Sequence, residues 1–224
     1  MGSTVTATDD RRLPAEPLSP LAASVDEVLA LYGYELAAAI EAIDDAVSGI
    51  GGVFDPDTSA AALRAALDDA ADAAPGSPAP LPAATGARVV LYVDGSSRGN
   101  PGPAGAGAVL RVDGAAVARL GRPVGSRTDN NVAEYAALQL GLETLSRRCS
   151  PAAVEVRIDS MTVVDDVWGE ASPMPSCRAY SAAVAELLSE LPADGWTHLA
   201  DDDPNPADAR ATVGADIAAL GPGG

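Results

Sequence analysis

Two aspartates in this chain end apolar runs. Asp94 follows Val89, Val90, Leu91, Tyr92 and Val93, a β-branched and aromatic stretch that reads as a buried strand. Asp159 follows Val154, Val156 and Ile158, which alternate with Glu155 and Arg157 as a second strand. Two further acids stand at the beginnings of helices. Glu134 falls in the first turns of a helix whose apolar residues Val132, Tyr135, Leu138, Leu142 and Leu145 recur at helical spacing, with Asp129 or Asn130 as N-cap. Asp208 opens a helix after the acidic loop Asp201, Asp202, Asp203, Pro204, Asn205, Pro206. Surface solvation does not require acids at strand ends, and position separates these four from the other members of a set of 32 acidic residues. Glu143, Asp165, Asp166, Glu186 and Glu190 instead fit solvated helix faces.

The segment after Asp94 turns at once. Gly95, Gly99, Gly102, Gly105 and Gly107 let the backbone approach a ligand, while Pro101 and Pro103 stiffen the turn that Asn100 begins. A carboxylate, an amide and open backbone therefore meet at one sheet edge. The loop is not a phosphate loop, because no Gly-Lys-Ser/Thr follows and the chain has no lysine. Nor is it a dinucleotide fingerprint, since Ala108, Val109, Leu110, Arg111 and Val112 read as a strand where a helix is required. Asp113 and Gly114 supply a hairpin turn into a third strand at 116–120, and Trp196 to Ala200 read as a fifth.

In motif order and content, residues 88–220 resemble the catalytic domain of type 1 ribonuclease H. The glycine/proline loop, the Asn130-Asn131 helix start before Glu134, the strand-end Asp159-Ser160 and the late Ala207-Asp208 carry the resemblance. It implies an α/β fold, a five-stranded mixed sheet with helices on both faces, and hydrolysis of the RNA strand of RNA–DNA hybrids. It implies that Asp94, Glu134, Asp159 and Asp208 hold two Mg²⁺ ions, or Mn²⁺ in their place; such hard cations prefer oxygen ligands and together stabilise an in-line phosphodiester cleavage. RNA is told from DNA by its 2′-hydroxyl. The resemblance assigns contact with the hybrid to Gly95, Ser96, Asn100, Arg127, Asn130 and Asn131, although Asn130 could equally cap its helix and Asn100 shape a turn. The relatives' histidine in the loop before the last aspartate has no counterpart here. His198, on the preceding strand, is left as a candidate proton shuttle beside a plain strand-end role, and Asp202 or Asp203 as substitutes. Asp129 stands where many relatives have threonine, a poor neighbour for a DNA phosphate. Two other classes remain open: a hybrid-binding module without catalysis, and a nuclease of the same fold acting on double-stranded RNA or DNA junctions.

The first 85 residues are a different object. A disordered stretch is expected over 1–20 and a small α-helical hairpin over 21–74. In the hairpin, a capping box at Ser24 and Glu27 starts one long helix that runs to Val47, and a second begins near Asp57. Residues 75–87 read as an extended Pro/Ala linker. So small a hairpin must pack on the catalytic domain, on another copy or on a protein partner. Net charge is −18, from 14 arginines against 32 acids. Acid excess without lysine points to a salt-rich cytoplasm, as in a halophilic archaeon. No apolar run is long enough to span a membrane, and Cys149 and Cys177 are expected as free thiols in that cytoplasmic setting.

Overall fold

The computed structural model describes residues 17–49, 51–200 and 202–221. Most of the stretch expected to be disordered, 1–20, lies outside the described residues. Strands Arg88–Ser97 (β1), Gly102–Val112 (β2), Ala115–Thr128 (β3), Ala153–Ile158 (β4) and Ala193–His198 (β5) form one five-stranded sheet in the order β3-β2-β1-β4-β5. The first three run antiparallel, and β1, β4 and β5 run parallel. Helices Pro20–Leu31 (α1), Leu36–Ala46 (α2) and Ala60–Asp72 (α3) precede the sheet; Asn130–Arg148 (α4), Met161–Val167 (α5), Arg178–Glu190 (α6) and Asp208–Ala218 (α7) follow its third strand. This is the mixed sheet expected from the sequence.

Alternation along β1 divides the sheet into two faces. Leu91 and Val93, with Leu110 and Ala108 opposite them, pack in the main core with α4. Gly141 lets α4 settle there, since a Cβ at that position would stand 2.5 Å from Leu91 Cδ1. Tyr92 and Val109 point the other way and pack with Leu199 and Ala207. That second face carries α7, and here the glycine-rich stretch takes a different meaning. Residues 102–107 are strand, and a Cβ at Gly105 would lie 2.2 Å from the Ala215 amide nitrogen, one at Gly107 2.3 Å from the Ala207 carbonyl oxygen. These two glycines admit a helix, where the sequence suggested a ligand. Asp166, expected on a solvated face, accepts a 2.8 Å hydrogen bond from the hydroxyl of the fully buried Tyr135.

The N-terminal module has three helices where two were expected. Ser19, with its side chain accepting from the Ala22 amide at 3.1 Å, is the first N-cap; Ser24 instead donates to the Pro20 carbonyl. Gly33 and Tyr34 both adopt left-handed backbone, with φ of +63° and +61°, and this breaks the long helix. The break serves the sheet. β3 is an edge strand, and its Gly121 and Arg119 amides donate to the Tyr34 carbonyl and to Glu35 Oε2, both at 3.0 Å. An edge that would otherwise offer unpaired donors to another chain is thereby covered. Arg122 Nη2 meets Asp26 Oδ2 at 2.8 Å, and the Arg122 guanidinium lies 4.5 Å from the centre of the Tyr34 ring. Ile217 of α7 enters the apolar core of α1–α3. The Pro/Ala segment is likewise fastened: Leu81 and Ala84 are buried, and the amides of Leu81 and Gly86 donate to the carbonyls of Arg148 and Ser150. No helix among the described residues is long and apolar enough to cross a membrane.

Candidate active site

Each of the four acids is delivered by a different element. Asp94 lies on β1 opposite Gly107 and is 7% exposed. The next residue, Gly95, faces α4, where a Cβ would stand 2.4 Å from the Glu134 amide nitrogen. A bare Cα there lets the start of α4 touch β1, and the Gly95 N–H donates to Glu134 Oε2 at 3.1 Å. Glu134 is thus held beside Asp94 by the backbone that follows Asp94. Asp159 directly follows β4 and is exposed. One carboxylate oxygen from each of Asp94, Glu134 and Asp159 lies within 4.8 Å of the others. Asp208, in the first turn of α7, stands outside that set but lines the same cleft, of about 660 Å³, with Asp94 and Asp159.

Burial and the crowding of charge together set the protonation of Asp94 and Glu134. Burial, then Asp159 and Asp208, push the Asp94 carboxyl up to about 7. Burial, then Asp94 and Asp159, push Glu134 up to about 9, against the opposing hydrogen bonds from Gly95 and Asn130. Hard oxygen donors that repel one another in a half-buried cleft are a donor set suited to divalent cations. Because both folded pKa values are raised, the folded chain holds more protons than the unfolded one between roughly pH 4 and 9. Without divalent ions, stability is therefore fully present below about pH 4 and falls as pH rises through 7 and 9, by at most about 4 kcal/mol for Asp94 alone. Unfolding midpoints in EDTA should drop from pH 6 to pH 9, and the increment on adding Mg²⁺ should grow over that range. A midpoint indifferent to Mg²⁺ at pH 9 would mean that the cluster holds no cation.

The residues expected to meet substrate gather at the start of α4. Asn100 Oδ1 accepts from the Asn130 amide at 3.3 Å, and Asn130 Nδ2 donates to Glu134 Oε1 at 3.4 Å. Asp129 is the N-cap, with Oδ1 accepting from the Asn131 amide at 2.8 Å and from Asn131 Nδ2 at 2.9 Å. Arg127 is exposed near the end of β3, and Ser96 is half-buried beside Gly95. Gly95 has its N–H engaged by Glu134. His198 ends β5, with Nε2 3.1 Å from the Asp159 carbonyl oxygen. Asp203 lines the cleft while accepting from the Ala200 amide at 2.9 Å. Asp202 is exposed. Two residues escaped the sequence reading. Asn205 donates to the Val93 carbonyl at 2.9 Å and accepts from the Ala207 amide, tying the loop before Asp208 to the strand that carries Asp94. Its signal was the Asn-Pro pair, a turn starter. Arg111 lines the cleft and carried no signal beyond its place on a strand.

A family model described as RNase H matches residues 86–188, which contain Asp94, Glu134 and Asp159 but end before Asp208. Among solved structures, the chain is 37% identical to RNase H1 from the halophilic archaeon Halobacterium salinarum NRC-1, over 58% of this chain and 98% of that one, with a TM-score of 0.53. It is 32% identical to the N-terminal RNase H domain of Rv2228c from Mycobacterium tuberculosis, over 59% and 96%, with a TM-score of 0.55. It is also 32% identical to LC11-RNase H1, solved in complex with an RNA/DNA hybrid, over 58% and 98%, with a TM-score of 0.53. A search of curated proteins finds no match.

Proposed function

The chain belongs to the ribonuclease H family and is a ribonuclease H enzyme, and from that premise we propose that it hydrolyses the RNA strand of RNA–DNA hybrids with two divalent ions, most simply Mg²⁺, held by Asp94, Glu134, Asp159 and Asp208. The observation that carries the reading is the convergence of three carboxylates from β1, α4 and the end of β4 to within 4.8 Å. When bound, such ions supply an activated water and neutralise charge on the scissile phosphate and its leaving oxygen. Asp94, whose carboxylate feels both Asp159 and Asp208, would be the ligand shared between the ions; Glu134 and Asp159 would help hold one and Asp208 the other. Asn205 anchors the loop before Asp208 to β1, and the Gly95 amide orients the Glu134 carboxylate. Asn100, Asn130 and Asn131 offer amides that both donate and accept, which suits a 2′-hydroxyl. Such an enzyme removes RNA primers and R-loops, and the acidic surface fits a salt-rich cytoplasm.

The test compares cleavage of one sequence as RNA–DNA, RNA–RNA and DNA–DNA duplexes in Mg²⁺. We expect the RNA strand of the hybrid to be cut at least about a hundredfold faster than either homoduplex, with 5′-phosphate ends. Equal cutting of double-stranded RNA would assign a broader nuclease, and hybrid binding without cleavage would assign a binding module.

A further inference from the structure

Beyond the carboxylates, the cleft runs back over the α7 face of the sheet to Tyr92 and Arg111. Cations are scarce in this chain, and Arg88, Arg98, Arg122, Arg148 and Arg157 all stand beside carboxylates. Among the described residues Arg111 has no carboxylate partner, and its Nε is shut from solvent with no acceptor. A buried donor left so costs about 1–3 kcal/mol, which a bound anion would remove. Strand pairing brings other arginines onto the same sheet face, Arg157 among them, although it is itself paired with Glu155. Arg111 and Arg157 lie 5.8 Å and 5.2 Å from the centre of the Tyr92 ring, and Arg157 donates to the Tyr92 hydroxyl at 2.7 Å. Arg119 is paired with Val109 and shares that sheet face; the first turn of α7 sets Arg210 over Gly107.

We propose that this end of the cleft is an anion subsite for the phosphate monoester of a nucleotide. The whole cleft, carboxylates included, measures about 660 Å³, which leaves room for a nucleotide-sized strand end beside the metal site. Tyr92 is 8% exposed with guanidinium groups flanking its ring, so a base has no free aromatic face to stack on and the phosphate is the group recognised. An arginine fork matches phosphate oxygens in pairs. The inference rests on the nuclease reading only for the source of that phosphate, the 5′ end of a cleaved RNA strand.

The experiment is equilibrium titration of the full chain in Mg²⁺ with inorganic phosphate, a 5′-phosphorylated ribodinucleotide and the same dinucleotide with a 5′-hydroxyl. Arg111→Gln should weaken the first two by about tenfold and leave the third unchanged, the loss of one charge-assisted contact. Arg111→Lys, which keeps the charge and the stem, should fall between. Asp94→Asn should retain phosphate binding, because the subsite lies apart from the carboxylate cluster. If Arg111→Gln binds phosphate as well as the wild type, or Asp94→Asn abolishes binding, the phosphate belongs to the metal site and the subsite does not exist. Binding is read without turnover, so failure of the nuclease reading would show separately in the cleavage assay.

Discussion

Asp94→Asn should lower the rate of hybrid cleavage by at least about 10³-fold while leaving the chain folded, because in the proposed two-ion mechanism one substitution would remove the charged oxygen shared by both ions. The two halves of the expectation come from the same feature. Asp94 is nearly buried, and burial with Asp159 and Asp208 raises its pKa to about 7. An amide of the same shape carries no charge into that crowd. At pH 8 in EDTA the variant should therefore unfold at a higher temperature than the wild type, and added Mg²⁺ should stabilise it less. Loss of activity with a raised metal-free midpoint cannot be attributed to unfolding. A folded Asp94→Asn protein with near-wild-type turnover would remove Asp94 from the chemistry.

Asp26→Ala should cost about 3–5 kcal/mol of stability, the largest expected effect of any substitution far from the cleft. The side chains of Arg122 and Asp26 are 9% and 13% exposed, and they meet through one 2.8 Å contact. Asp26 Oδ1 and Arg122 Nε have no partners. Burial raises the Asp26 pKa more than Arg122 lowers it, so the pair itself adds little to stability. Removing one member is another matter, since Arg122 then stays beneath α1 as an unpaired charge. The double variant Asp26→Leu with Arg122→Met should recover most of the loss, which a pair that stabilised by attraction alone would not allow. Chemical denaturation of the three proteins decides it; equal stability of Asp26→Ala and wild type would mean that the N-terminal helices do not hold Arg122 buried.

What the sequence revealed depended on how local its causes are. Asp94 and Asp159 were legible because an apolar run that stops at an acid announces a strand end, and the N-cap was narrowed to Asp129 or Asn130, of which the structure selects Asp129, because a cap needs only the next two residues. The glycines of β2 were misread for a physical reason. A loop that admits a ligand and a strand that admits a helix both need a bare Cα, and only the partner, Ala207 or Ala215 about a hundred residues away, separates them. The break at Gly33 and Tyr34 was hidden because Leu29, Tyr32, Leu36 and Ile40 keep helical spacing across it. Asp26 and Arg122, 96 residues apart, carry no mark of one another. The attachment of the module to β3 and α7 could therefore not be read from either part alone. In the candidate site, motif order singled out Asp94, Glu134 and Asp159, which the fold brings together, whereas the loop closure by Asn205 depends on a carbonyl of β1.

The most direct measurement of the central claim is anomalous scattering from Mn²⁺ in crystals of the full chain with an uncleavable RNA–DNA hybrid. Two ions about 4 Å apart are expected on either side of the scissile phosphate, with Asp94 contacting both, Glu134 and Asp159 on one and Asp208 on the other. An ordered hybrid with no ion within reach of Asp94, or with ions held by other residues, would contradict it.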